Sequence, residues 1–267
     1  MKAKRFIPAL LTVIACVASV LVLPGYAGAE CWYAKRNPDH RQPVLEPQFS
    51  YIEQYDAYYV DRQHGDTCEE KVLYLTFDAG YENGNVEKIL NTMKEKNVTG
   101  AFFILENLIL RNTALVERMA AEGNLVCNHT LRHKDMTRLH TEDEFRAELE
   151  SLEALYREKT GREMSRYYRP PEGKFDEENL KMAQKLGYKT VFWSLAYADW
   201  DNARQPEKEA AIKKIMDNTH NGAVILLHPT SSTNAAILGE LIDRWRAEGY
   251  RFGTLDELTA TAQPGTK

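Results

Sequence analysis

The sequence predicts an α/β fold: a single distorted (β/α) barrel with an extended N-terminal arm. Three observations predict it. From Lys71 onward, apolar runs of strand length alternate with amphipathic runs of helical length, which makes βα units and a parallel sheet. Six or seven such units follow one another, which suits a ring more than an open sheet, and the first βα turn lacks GxGxxG, which disfavours a dinucleotide fold. Ionisable residues also stand where the strands stop, and in a barrel those C-terminal ends face one mouth.

The chain divides into three stretches. Residues 1–29 open with "MKAKRF", run apolar through "FIPALLTVIACVASVLVL", and reach Ala27-Gly28-Ala29. This pattern is a secretory signal with cleavage expected after Ala29, or, uncleaved, a membrane anchor, since the apolar run approaches spanning length. "VIAC" resembles a lipoprotein box but fits poorly, because apolar sequence continues past Cys16. Residues 30–70 are rich in Pro, Tyr and polar side chains and hold no sustained helical period; they read as an arm wrapping the domain, anchored by Tyr and Trp. Residues 71–260 carry the alternation.

Within that domain the elements follow in order. "KVLYLTF" is a strand and "VEKILNTMKEK" a helix; "GAFFIL" is a strand and "TALVERMAAEG" a helix. "NLVCNH" is a strand, and "EDEFRAELESLEALYREKTG" a long helix. "YYRPP" is a short strand stopped by prolines, which cannot continue a ladder. "EENLKMAQKLG" is a helix, "KTVFWSL" a strand, "QPEKEAAIKKIMDNT" a helix and "GAVILLH" a strand buried on both faces. "AAILGELIDRWRAEG" is a helix, and "RFGTLDELTA" closes the fold.

Bulk properties exclude several classes. With 43% hydrophobic and 27% charged residues over 267 positions, the chain is globular. A formal charge of −5 disfavours nucleic-acid binding. Loss of the three basic signal residues leaves 31 basic and 39 acidic groups, or −8. Of four cysteines, Cys16 lies in the signal; a Cys31–Cys68 bridge would tie the arm to the domain outside the membrane, and Cys127 reads as a small buried apolar residue.

The strand ends present Asp78, then His129 and His133, Arg169, Asp199 with Trp200, and His228. Singly, each is a turn residue, a helix cap or a structural histidine; their shared placement is what points to chemistry. His129 and His133 are spaced i, i+4, so one helical turn would put both imidazoles on one side as metal ligands. The glutamate of HExxH is missing from "HTLRH", whose middle is filled by Leu131 and Arg132, which excludes a zincin-type protease. His228 ends an apolar run and is half-desolvated, as suits a general acid or base, and Asp199 could fix its tautomer. His40, His64, His140 and His220 sit in polar loops or helix ends and read as solvated.

In order and spacing, "TFDAG", "NHTLRH", "RPPEG", "ADW" and "ILLH" resemble the five motifs of the NodB-homology polysaccharide deacetylases, carbohydrate esterase family 4. The resemblance spans residues 71–258 and implies a barrel of NodB-homology type. "TFDAGYENG", "RPPEGKF" and "FWSLAYADW" are most similar to the PdaA-like, delta-lactam-biosynthetic de-N-acetylase branch, which acts on muramic acid in spore-cortex peptidoglycan. The resemblance implies Asp78 as general base, His228 as general acid, Arg169 as partner of Asp78, and Asp199 as partner of His228. It implies His129 and His133 as metal ligands and Trp200 and Leu226 as an apolar pocket for the acetyl methyl. Amide hydrolysis needs these parts: an activated water, a stabilised oxyanion and a protonated leaving nitrogen.

Two departures from the family pattern matter. The second acid, usually a metal ligand, is Ala79, so the implied divalent metal, zinc or similar, should bind weakly. After Pro-Pro, Glu172 replaces a frequent aromatic; its N–H could still serve the oxyanion, while its side chain alters the cleft wall. The leading expectation is a hydrolase, exported to the cell wall or the forespore intermembrane space, that removes N-acetyl groups from peptidoglycan amino sugars and touches membrane only through its N-terminal segment. Two alternatives are a deacetylase of chitooligosaccharide or acetylxylan, and an inactive glycan-binding module.

Overall fold

A computed structural model describes residues 28–37 and 39–260. The predicted signal segment falls almost wholly outside the described residues. In chain order the strands are β1 (Glu30–Cys31), β2 (Ala57–Tyr58), β3 (Lys71–Ala79), β4 (Ala101–Ile104), β5 (Leu125–Asn128), β6 (Ser165–Tyr168), β7 (Lys174–Phe175), β8 (Lys189–Val191), β9 (Leu195–Ala196), β10 (Ala223–Leu227) and β11 (Tyr250–Phe252). The helices are α1 (Val86–Glu95), α2 (Glu106–Arg111), α3 (Thr113–Ala121), α4 (Glu142–Thr160), α5 (Glu177–Lys185), α6 (Lys208–Asn218), α7 (Ser232–Ala247) and α8 (Leu255–Ala260).

Nine strands form one parallel sheet in the order β2-β8-β6-β5-β4-β3-β10-β9, with β11 added beside the start of β3. Its two ends meet through the chain itself. The stretch that the sequence presents as one strand, "KTVFWSL", is broken into β8, which pairs with β6, and β9, which pairs with β10. Ser194 N–H bonds Val224 O at 2.9 Å between them. One extended segment thus hands over from one side of the ring to the other, and this is the distortion in the barrel.

Strand alternation sorts the core into two layers. One face of the ring gives Val72, Tyr74, Phe103, Cys127, Tyr167 and Val224 to an interior cluster, closed at its base by Leu255 and Leu258 of α8. The other face gives Leu73, Leu75, Phe77, Phe102 and Ile225 to the layer beneath the helices, with Ile89, Leu152, Leu238 and Trp245. Helix ends follow local signals. Thr141 caps α4 by accepting from Glu144 N–H and donating to Glu144 Oε2, and Gly161 ends it at φ 68.

The arm is more structured than its composition suggests. Pro47–Gln54 forms a 3-10 helix, and β2 joins the main sheet beside β8. Trp32 anchors it: its indole N–H donates to Trp193 O at 2.9 Å, and its ring stacks on Phe192 with centroids 4.6 Å apart. Cys31 and Cys68 are both free, so the bridge that the sequence allows is not formed. Cys31 pairs with Lys174 beyond the C-terminal end of β6, whereas Cys68 O accepts from Asn221 just before β10 begins, at the opposite end of the barrel. Cys127 is fully buried in the interior cluster.

Candidate active site

The inward register of each strand continues past the apolar cluster to the mouth. On β3 it runs Val72, Tyr74, Thr76, Asp78; β5 continues from Cys127 to His129; β6 from Tyr167 to Arg169; β10 from Val224 through Leu226 to His228. The side chains that line the interior below become the polar floor of a cleft of about 1090 Å³ above, where Asp78, His129, His133, Glu172, Trp200 and His228 all contribute.

Arg169 is the centre of that floor and has no solvent exposure. Its Nη1 donates to Asp78 Oδ1 at 2.8 Å, Nη2 to Thr76 Oγ1 at 2.9 Å and to Phe192 O at 3.1 Å, and Nε to Val191 O at 2.9 Å. The guanidinium also lies 4.2 Å from the centroid of the Phe103 ring. Burial opposes ionisation of Asp78, but the Arg169 charge outweighs it and holds the carboxyl below its ordinary range.

His129 and His133 come together without a helix. His129 follows β5 directly, and the turn after it places Thr130 at φ 71 and His133 at φ 58. These left-handed conformations are costly for residues with a Cβ and concentrate at functional sites. The i, i+4 helical geometry expected from the spacing is therefore replaced by a strained turn, which still sets the two ring centroids 5.0 Å apart. Salt bridges pin this turn to α2 and α4, through Arg132 to Glu106 at 3.0 Å and through Lys134 to the buried Glu148. His129 Nδ1 lies 2.9 Å from Arg169 O. A carbonyl only accepts, so Nδ1 carries the hydrogen and Nε2 is left bare, 3.6 Å from Asp78 Oδ2. Burial pushes the His129 pKa down to about 4, so the imidazole is neutral at neutral pH and its approach to Asp78 is not an ion pair.

His228 is held from behind. Asp199 Oδ1 lies 2.7 Å from its Nδ1, and Asp199 Oδ2 accepts its backbone N–H at 2.8 Å. The carboxylate fixes the proton on Nδ1, so Nε2 is the position that titrates toward the cleft. Burial works against the charged ring, but the Asp199 hydrogen bond and charge overcome it and raise the His228 pKa. Asp199 is itself oriented by Asn234 of α7, whose Nδ2 donates to Oδ2 at 2.6 Å, and Tyr197 OH donates to Asn234 Oδ1.

The remaining predicted residues divide. Leu226 is buried in the cleft wall. Trp200 is 62% exposed and stands edge-on to His228 with centroids 6.3 Å apart, so it overhangs the cleft instead of closing a buried pocket. Glu172 sits at φ 57 in a turn whose backbone bonds come from the Gly173 and Lys174 N–H groups, and its carboxylate pairs with Lys174 at 2.8 Å. Gly173 is required beside it, because a Cβ there would meet the Trp193 ring at 2.8 Å and Trp32 Cβ at 3.1 Å.

A three-ligand metal centre does not fit these residues. Among the described residues no group of three His, Cys, Asp or Glu is placed to hold a metal ion. Ala79 points away from the cleft into the layer beneath the helices, leaving the bare Nε2 of His129 and the exposed His133 as the donor pair. Two histidines read as solvated are buried instead. His64 ion-pairs with Asp61 at 2.6 Å, and His220 bonds Ser194 Oγ at 2.9 Å, with burial pushing its pKa down to about 4. Sequence reasoning missed Thr76 and Asn234. Thr76 was open to it, being two residues before Asp78 on an inward register; Asn234, brought in by the packing of α7, carried no signal.

The polysaccharide deacetylase family model matches residues 65–191. The peptidoglycan-N-acetylmuramic acid deacetylase PdaA of Bacillus subtilis is 39% identical over 91% of this chain and 93% of its own. The solved structure of that enzyme, described as a family 4 carbohydrate esterase, superimposes with a TM-score of 0.82 at 38% identity, covering 88% of this chain and 98% of the other. A family 4 carbohydrate esterase from Bacillus anthracis superimposes with a TM-score of 0.68 at 33% identity, over 86% and 100% of the two chains. A Bacillus anthracis pseudoenzyme of the same family gives 0.67 at 25% identity, over 76% and 68%.

Proposed function

The chain belongs to the polysaccharide deacetylase family, and on that premise we propose that it hydrolyses N-acetyl groups from peptidoglycan amino sugars, with N-acetylmuramic acid as the preferred residue. One observation carries the reading: Asp78 and His228 share a cleft, and each is backed by a buried partner of opposite charge that pushes the two pKa values apart.

Asp78 takes a proton from water as the water oxygen attacks the acetyl carbon. Negative charge then grows on the acetyl oxygen, to which the Glu172 backbone N–H would donate. His228 Nε2–H gives its proton to the nitrogen as the C–N bond breaks, releasing acetate and a free amine. Arg169 keeps Asp78 ionised, and Asp199 keeps His228 protonated and aimed. His129 Nε2 and His133 are the donors for a loosely held divalent cation, which would polarise the acetyl carbonyl when bound. Export by residues 1–29, and a place in spore-cortex muramic δ-lactam formation, complete the reading.

A second reading, a glycan-binding module without turnover, draws on Ala79 and on the missing third ligand. The matched acid and base argue against it, since binding alone has no use for them. Incubation with purified peptidoglycan followed by mass analysis of the muropeptides decides. Loss of an acetyl group is expected, with loss of a further water where the lactam closes; unchanged muropeptides would favour the binding module.

A further inference from the structure

The arm-side wall of the cleft carries charge that the reaction does not use. Lys35 and Arg36 of the arm and Lys214 of α6 all line the cleft and are all exposed. None of the three makes an ion pair among the described residues; Arg36 places one N–H on Ala196 O at 3.4 Å and keeps the rest of its guanidinium free. The acids that line the cleft, Asp78 and Glu172, are already matched to Arg169 and Lys174. An acidic protein, −5 overall, thus presents a cationic wall inside its substrate cleft.

This wall is fixed in place. Trp32, three and four residues before the arm cations, is buried against Phe192 and Trp193. Ala196, the anchor of Arg36, is the register partner of Leu226, two residues before His228. Tyr33 adds a half-exposed ring beside them, the kind of surface that packs against a sugar face. Unpaired cations next to an aromatic ring suit a sugar that bears an anion, and guanidinium binds carboxylate through two parallel hydrogen bonds.

We propose that Lys35, Arg36 and Lys214 form a carboxylate subsite that makes this cleft select glycans with an anionic substituent over neutral ones. The proposal rests on the deacetylase reading and deepens it. The carboxylate has two sources in peptidoglycan: the lactyl ether of the sugar itself, or the stem peptide attached to it.

The test compares kcat/KM on three substrates: neutral chitotetraose, glycan strands stripped of stem peptides, and strands that keep them. Arg36→Gln and Lys214→Gln are each expected to lower the ratio of carboxylated to neutral kcat/KM by about 3- to 10-fold, the range for partly exposed charge pairs. Arg36→Lys, which keeps the charge, is expected to recover part of the ratio. A drop on stripped strands alone assigns the lactyl group; a drop only on peptide-bearing strands assigns the stem peptide. Equal losses on all three substrates would reduce Arg36 to a support for the arm and overturn the proposal, as would an unchanged ratio. Calorimetric binding of stripped strands to the wild type and to Arg36→Gln reads the subsite without turnover. If nothing is hydrolysed but binding still depends on Arg36, the subsite stands and the hydrolase reading falls; if binding is also indifferent to Arg36, the subsite falls.

Discussion

Arg169 keeps its charge away from solvent because acceptors surround it: a carboxylate, a hydroxyl and two carbonyls. Asp78→Asn leaves an amide oxygen to accept from Nη1, so the floor should stay assembled while the proposed base is lost. Turnover is expected to fall about 10²- to 10⁴-fold in Asp78→Asn and in His228→Ala, both still folded, with Asp78→Asn melting lower because it leaves the buried Arg169 without its counter-charge. Activity within a few-fold of wild type in either variant would remove that residue from the reaction. In the proposed mechanism Asp199 acts through His228, to which it is hydrogen-bonded. Since Asp199 raises the His228 pKa, His228 stays protonated to higher pH, and the activity it supports is lost as pH rises through the raised value. Asp199→Asn should therefore shift the alkaline limb of the pH–rate profile to lower pH with the acid limb unmoved; a superimposable profile would exclude the coupling. Asp78, His129, Arg169 and His228 were legible because each follows an apolar run at a strand end, where side-chain direction obeys a period of two. Asn234 was not, because its role depends on how α7 docks and on Ser231, which caps that helix by accepting Asn234 N–H at 3.1 Å.

At the scale of elements, the end of β3 presents Asp78 to the cleft and Ala79 to the apolar layer behind it. A carboxylate at 79 therefore starts among hydrocarbon and gains only if a cation draws it round. Ala79→Asp should lower Tm in metal-free protein, recover it with zinc, and tighten zinc binding by about ten-fold or more, as ligand-environment changes do. Calorimetric titration of both proteins checks this, and stoichiometric tight binding by wild type would defeat the two-imidazole site. The arm supplies a second case. Trp32 sits in an aromatic group with Phe49, Tyr59, Phe175 and Phe192, and the residues after it form the cleft wall. Trp32→Ala should cost about 3–5 kcal/mol of stability and raise KM more than it lowers kcat, measured by denaturant unfolding and steady-state kinetics. The alternation of strands and helices was legible from Lys71 on because each element has its own apolar period. The arm's 3-10 helix and β2 were not, since short elements carry too few residues to show a period and are held by tertiary contacts. The split of "KTVFWSL" was hidden for a related reason: a continuous apolar run looks the same whether it pairs with one neighbour or passes between two.

Across the whole molecule, the arm runs from the cleft rim to the base of the barrel and is tied at both ends. At the base, Asp61 accepts from Tyr74 OH at 2.5 Å and holds His64 Nδ1 at 2.6 Å, while Gln42 Nε2 donates to the carbonyls of Asp61, His64 and Asn221. Burial disfavours the His64 cation, but Asp61, helped by Glu70, outweighs it and raises the pKa. The stability from this pair is fully present below the ordinary histidine value and is lost as pH rises through the raised one. His64→Gln should thus be less stable than wild type at about pH 5.5, with the gap narrowing by about pH 8.5, read by urea unfolding at both; a constant gap would mean that His64 does not titrate there. The run of the arm has a practical side as well. Residue 30 enters beside Phe175 at the rim of the cleft, whereas α8 leaves the chain under the opposite end of the ring. A tag or bead linked ahead of residue 30 would crowd the opening of the cleft, and one linked after residue 260 would present that opening outward, so on the proposed function immobilised protein should capture long glycan strands efficiently in only one of the two orientations.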